Sequence, residues 1–100
     1  MTPMQRSLAH LRERGYHCEI VEHFVRFPPP GHRKDLWGWA DILAVAPGEV
    51  LAVQTTSKGE ISKRVRKIAD SETVHRVREA GVRIEVHGWK GADVVIKDLS

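Results

Sequence analysis

Two polar side chains interrupt the apolar centre of the sequence. In "GWADILAVAPGEVLAVQTTSKGE" the carboxylate of Asp41 opens one hydrophobic run, and the amide of Gln54 comes near the end of the next. A carboxylate placed inside an apolar segment is costly unless it is hydrogen-bonded, solvated in a cleft, or bound to a cation. A cation explains most about Asp41. A second feature lies just downstream, where "KGEISKRVRK" carries Lys58, Lys63, Arg64, Arg66 and Lys67 against the single acid Glu60. With Arg33 and Lys34 ahead of the apolar core, these cations form a phosphate-binding footprint or else a solvated helix face.

The elements that must position these groups can be read from alternation and capping. Alternation in "WADILAV" puts Trp39, Asp41, Leu43 and Val45 on one face of a strand, and Val50, Ala52, Gln54 and Thr56 share a face of the next. The intervening "PGE" predicts a hairpin, which brings Asp41 close to opposite Gln54 at its open end. Ser57 and Glu60 have capping-box spacing for a helix that turns Ile61, Val65 and Ile68 inward and Lys63, Arg66 and Lys67 outward.

The flanking segments complete the pattern. Thr2, Pro3 and Gln5 start a first helix whose Met4, Leu8 and Leu11 recur at helical spacing, and Gly15 ends it. "YHCEIVEHFV" reads as one strand with Tyr16, Cys18, Ile20, Glu22 and Phe24 on one face, and the proline-rich "RFPPPGHRKD" reads as a loop. Asp70 or Ser71 caps a third helix closed by Gly81, before two terminal strands joined at "KG". The predicted order is αβββααββ. It builds one α/β sandwich over residues 1–100, with a central mixed sheet flanked by helices, because so short a chain supports a single core.

Composition narrows the setting. With 41% hydrophobic and 29% charged residues the chain is globular, and no apolar run approaches the roughly 20 residues a membrane span needs. The first residues lack a secretion signal, and the single Cys18 is a core residue that suits a reducing compartment, so a cytoplasmic location is expected. His10, His17, His23, His32, His75 and His87 show no metal-ligand spacing; His32 lies beside Arg33 in the basic loop, and the other five are expected at the surface. Trp37, Trp39 and Trp89 are expected in the core, and Gly38 between two tryptophans marks a kink.

On the order of its elements and on the segments "RKDLWGWADILAV" and "LAVQTT", the chain resembles the PD-(D/E)XK nuclease superfamily, particularly small Holliday-junction-resolvase-like and phage-type members. Asp41 matches the family's Asp, and Gln54 to Thr56 fall where (D/E)xK belongs. The resemblance implies a restriction-endonuclease-like fold and a Mg²⁺- or Mn²⁺-dependent DNA endonuclease acting on branched or structured DNA as a homodimer. It implies Asp41, Gln54, the Thr55 carbonyl and Asp35 as metal ligands, Glu22 as a further acid, and Lys58 or Lys63 as the catalytic ammonium. Arg33, Lys34, Lys58, Lys63, Arg66 and Lys67 are the expected DNA contacts.

The departures are specific. No proline precedes Asp41, Gln54 replaces an acid, and Thr56 occupies the lysine position. An amide oxygen still ligates a hard cation, though without formal charge. Two other expectations therefore stand beside the nuclease: a DNA-binding module that keeps the fold without catalysis, and a phage structural or host-interaction protein.

Overall fold

Thr2 starts the molecule's first helix as its sequence requires. In the computed structural model, which describes residues 1–100, the Gln5 amide donates to the Thr2 hydroxyl at 3.2 Å and the Thr2 amide donates to Gln5 Oε1 at 2.9 Å. This reciprocal box, worth about 1 kcal/mol, opens α1 (Pro3–Glu13), with proline in the first turn where no amide donor is needed. No helix is long and apolar enough to cross a membrane.

The strands are β1 (His17–Ile20), β2 (Glu22–Val25), β3 (His32–Asp35), β4 (Ile42–Ala46), β5 (Glu49–Ser57), β6 (Arg83–Lys90) and β7 (Asp93–Asp98). Two further helices, α2 (Ile61–Ala69) and α3 (Val74–Glu79), follow a 3-10 turn at Lys58–Glu60. A mixed five-stranded sheet runs β1-β4-β5-β6-β7, in which only β5 and β6 are parallel, because the helical segment between them carries the chain back across the sheet. The remaining two strands, β2 and β3, pair only with each other.

Both faces of the sheet are covered. Leu11 of α1 packs on Tyr16, Cys18, Ile42, Ala44, Leu51 and Val53. On the opposite face Ile68 of α2 and Val74 and Val77 of α3 pack on Ala52, Ile84, Val86 and Trp39. Each fully buried Leu or Ile contributes roughly 1.5–3 kcal/mol, so the apolar central strands are explained by two-sided burial. The expected α/β architecture with a mixed sheet and helices is what the chain adopts.

Four local expectations need correction. The segment Tyr16 to Val25 is not one strand. β1 pairs with β4 only as far as Ile20 opposite Ile42, and past that point β4 has no residues left to pair, so β2 peels away. Ile20 and Phe24 are consequently exposed at 53% and 61% instead of sharing the buried face with Tyr16 and Cys18. The segment expected as a loop contains β3, because the four residues after Gly31 are free of proline and complete a ladder with β2. β4 starts at Ile42 and not Trp39, since Trp37 and Gly38 turn with φ of 59° and 80° and Leu36 bridges Ala40.

The Ser57–Glu60 capping box is absent. Ser57 remains extended as the last residue of β5, opposite Trp89 of β6, and neither side chain caps a helix. Of the two caps expected for the third helix, Ser71 acts at its start: its hydroxyl accepts from the Thr73 amide at 3.2 Å and lies 2.8 Å from the Thr73 hydroxyl, just ahead of α3 at Val74. With β1 and β2 separate and β3 added, the order becomes αβββββααββ in place of αβββααββ.

Candidate metal centre

The β4–β5 hairpin has the register that its turn dictates, with Val45 opposite Val50 and Ile42 opposite Val53. Asp41 is the next residue outward. Its amide donates to the Val53 carbonyl at 2.8 Å, and its carbonyl accepts from the Val21 amide at 2.9 Å, so the backbone is gripped from both sides. Its side chain is 4% exposed. Carboxylate Oδ2 accepts from Gln54 Nε2 at 2.9 Å and from the Thr55 amide at 2.8 Å. The expected juxtaposition of Asp41 and Gln54 is present.

The Asp41 carboxylate also meets two more acids. Glu22 of β2 pairs directly with Asp35 of β3, and one oxygen from each of Glu22, Asp35 and Asp41 lies within 4.8 Å of the others. Burial pushes the Asp41 carboxyl from 3.8 up to about 7. The Thr55 amide opposes that rise, the Asp35 and Glu22 carboxylates add to it, and the Lys67 ammonium opposes it. Three carboxylates gathered this closely repel one another unless a cation joins them.

These groups line a cavity of ≈ 470 Å³ together with Arg33, Thr56 and Arg64. Gln54, 3% exposed, contributes an atom that its neighbours leave unsatisfied: Oε1 is buried and accepts no hydrogen bond. A buried acceptor left unpaired costs about 1–3 kcal/mol. Because N–H and C=O of one strand residue leave by the same edge, the Thr55 carbonyl is directed to the side where its amide meets Asp41.

The three carboxylates could hold a metal ion. Opposed ligands across Mg²⁺ stand about 4.2 Å apart at its usual bond lengths, and the three carboxylate oxygens span a comparable distance. All the donors are oxygens.

The expected cations are distributed unevenly. Arg33 Nη1 donates to Glu22 at 2.7 Å. Lys58 sits exposed in the 3-10 turn and does not line the cavity, and Lys63 points to Glu60 at 3.9 Å. The ammonium that reaches the acids is that of Lys67, 3.9 Å from Asp35. Arg64, one turn earlier on α2, lines the cavity with its buried Nε unpartnered. Lys34 is on the opposite face of the β2–β3 hairpin, paired with His23, and Arg66 is exposed beside Val65 and Lys97. Arg64 belonged to the basic run read from the sequence but was not expected at the site, although its spacing of three from Lys67 puts both on one helix side.

A separate polar cluster lies under α1. Ser7 Oγ is 3.0 Å from His87 Nδ1, His87 Nε2 is 2.9 Å from Glu85, and Arg14 donates two hydrogen bonds to Glu85 at 2.9 and 3.1 Å. His87 is fully buried, which corrects its expected surface position. β6 is an interior strand, and α1 covers the face that carries Glu85 and His87. Burial alone would raise the Glu85 carboxyl, but hydrogen bonds from His87 and Arg14 bring it down to about 2. Although the order of groups is that of a proton relay, Ser7 is fully buried and its oxygen already accepts from Trp89 Nε1 at 2.8 Å. This cluster clamps α1 to the sheet.

No family model matches the chain, and neither a curated protein nor a solved structure matches it. The chemistry of the site therefore has to be read from its own atoms.

Proposed function

We propose that this protein is a divalent-metal-dependent DNA endonuclease of restriction-endonuclease-like architecture, hydrolysing phosphodiester bonds at the Asp41 cavity. One observation carries the proposal: Gln54, whose Oε1 is buried and unpartnered, lines the same cavity as three carboxylates whose oxygens lie within 4.8 Å. An acidic cluster alone is common on protein surfaces. A buried acceptor without a donor beside that cluster is not, and an Mg²⁺ or Mn²⁺ ion would satisfy both.

Asp41, Glu22 and Asp35 would hold the ion, with Gln54 Oε1 and the Thr55 carbonyl as neutral oxygen donors. Bound there, the ion supplies Lewis-acid polarisation of a phosphoryl oxygen and lowers the pKa of bound water. The Gln54 amide and the Thr55 N–H fix the orientation of the Asp41 carboxylate. Arg64 and Lys67 would stabilise the charge that develops on phosphate, the part expected of Lys58 or Lys63 from sequence. The exposed cations of α2 would hold flanking phosphates.

A second reading, a DNA-binding module without catalysis, is favoured by the ion pairs Arg33–Glu22 and Lys67–Asp35, which give two of the acids counter-charges already. Incubating structured and linear DNA with Mn²⁺ separates the two. Cleavage that disappears in Asp41→Asn supports the endonuclease, and metal-independent binding with no cleavage supports the module.

A further inference from the structure

The β2–β3 hairpin carries the acids Glu22 and Asp35 opposite each other at its base. The next pair on the same face, two residues outward, is Phe24 opposite Arg33. Phe24 is 61% exposed, and Phe27 in the connecting turn is 75% exposed. Large apolar side chains left this open mark a surface that meets a partner. The Phe24 ring is nevertheless held in place: it lies over Gly31, where an added Cβ would collide with the ring and with the Val25 carbonyl.

A groove of ≈ 450 Å³ runs along this face, lined by Met4, Ile20, Glu22, His23, Phe24 and Arg33. It shares Met4, Glu22 and Arg33 with the acidic cavity, so the two adjoin. Arg33 stands opposite Phe24 on this face, and Arg26, also exposed, lies between Phe24 and Phe27 in the chain. Cations beside exposed aromatics suit a chain of phosphates and bases; an apolar protein partner would desolvate Arg26 without giving it a counter-charge.

The distances agree with this occupant. Two residues along a strand cover about 6.8 Å, which is more than the 3.4 Å per nucleotide of a stacked strand and suits one unstacked nucleotide. Resting on the nuclease reading above, we infer that the hairpin captures an unpaired nucleotide next to the scissile phosphate, with the Phe24 ring stacking on its base and Arg33 facing its phosphate. A base inside a duplex has both faces covered by its neighbours and offers no such surface. The substrate class is therefore DNA with a single-stranded segment at the cleavage point.

The test uses the full chain and a fluorescent oligothymidylate, with a matched duplex as comparison, in EDTA so that binding is read without cleavage. Fluorescence anisotropy should show tighter binding of the single strand. Phe24→Ala and Phe24→Leu should both weaken that binding by about 5- to 150-fold, the range of one lost base–aromatic stack, while duplex affinity stays nearly constant. Both variants should keep the wild-type circular dichroism, since the ring is mostly outside the core.

Unchanged single-strand affinity in Phe24→Ala, or wild-type affinity in Phe24→Leu, overturns the stacking role. A wild-type dimer that Phe24→Ala dissociates in sedimentation also overturns it, because the patch would then be a contact between copies. Stacking-dependent single-strand binding without Mn²⁺-dependent cleavage would uphold the capture of an unpaired base by Phe24 and defeat the endonuclease. Cleavage of duplex DNA indifferent to Phe24 would do the reverse.

Discussion

Replacing Asp41 with Asn should stabilise the metal-free protein at pH 8 and hardly affect it at pH 4. Asp41 Oδ2 accepts both of the hydrogen bonds that hold the side chain, and the Asn amide oxygen can accept the same two. Only the charge changes. The folded-state carboxyl titrates near 7, against 3.8 for the ordinary group. Below 3.8 both states hold the proton and the pH has no effect; between 3.8 and about 7 the unfolded chain ionises and the folded one does not, so stability declines as pH rises. Above 7 both are ionised and the loss is constant. About three units at 1.36 kcal/mol each give a loss on the order of 4 kcal/mol. Urea unfolding of both proteins in EDTA from pH 4 to pH 8 measures this as a difference, in which all other titrations cancel. Adding Mn²⁺ at 100 times its Kd should return about 2.7 kcal/mol to the wild type and much less to the variant. Parallel stability curves across the whole range would refute the reasoning and leave Asp41 as an ordinary hydrogen-bonded carboxylate.

Gln54→Glu should lower the melting temperature of the metal-free protein, because a carboxylate replaces the amide that donates to Asp41, and should tighten Mn²⁺ binding in calorimetry; equal metal affinities would remove Gln54 from the site. Replacing Lys63, Arg66 and Lys67 together with Ala should weaken DNA binding evenly across sequences and flatten the log–log salt slope by up to about 2.7, read by anisotropy at several salt concentrations. Lys63→Ala with Arg66→Ala should flatten it by less while leaving metal affinity intact, since only Lys67 reaches an acid of the cavity. Glu85→Gln should cost about 3 kcal/mol at pH 7, with the deficit shrinking as pH falls through 4.5 toward 2, where the wild-type carboxylate itself takes up a proton; a pH-independent deficit in chemical denaturation would exclude the ionised Glu85 as the clamp.

The parts legible in the sequence were those decided by local geometry. The Thr2–Gln5 box and the two-residue turn at Pro47 and Gly48 each fix a neighbourhood, and the second of these alone sets Asp41 against Gln54. What escaped depends on where neighbouring strands stop. Nothing in "YHCEIVEHFV" marks the break at Val21, because it results from the length of β4, twenty residues further on. The same holds for β3, whose residues lack strand propensity and are ordered by β2 alone. His87 and Glu85 alternate with apolar residues as on a half-exposed strand. They are buried only because α1 lies over them, a fact signalled by Ser7 standing four residues before the buried Leu11 and seven before Arg14 on one helical side.

The two-stranded ribbon of β2 and β3 has no ladder to the main sheet, and such ribbons are marginal by themselves. It should open as a separate cooperative unit, at a free energy well below that of global unfolding. Glu22 and Asp35 travel with the ribbon, whereas Asp41 is fastened to the sheet. An ion bound to all three would be a clasp between two units that otherwise unfold independently. Ribbon amide protons would then exchange about 100-fold more slowly at 100 times the metal's Kd, while the amides of β5, which open only with the whole molecule, would gain no more than the global stability does. Metal occupancy would in this way decide whether the groove beside Phe24 has a wall at all.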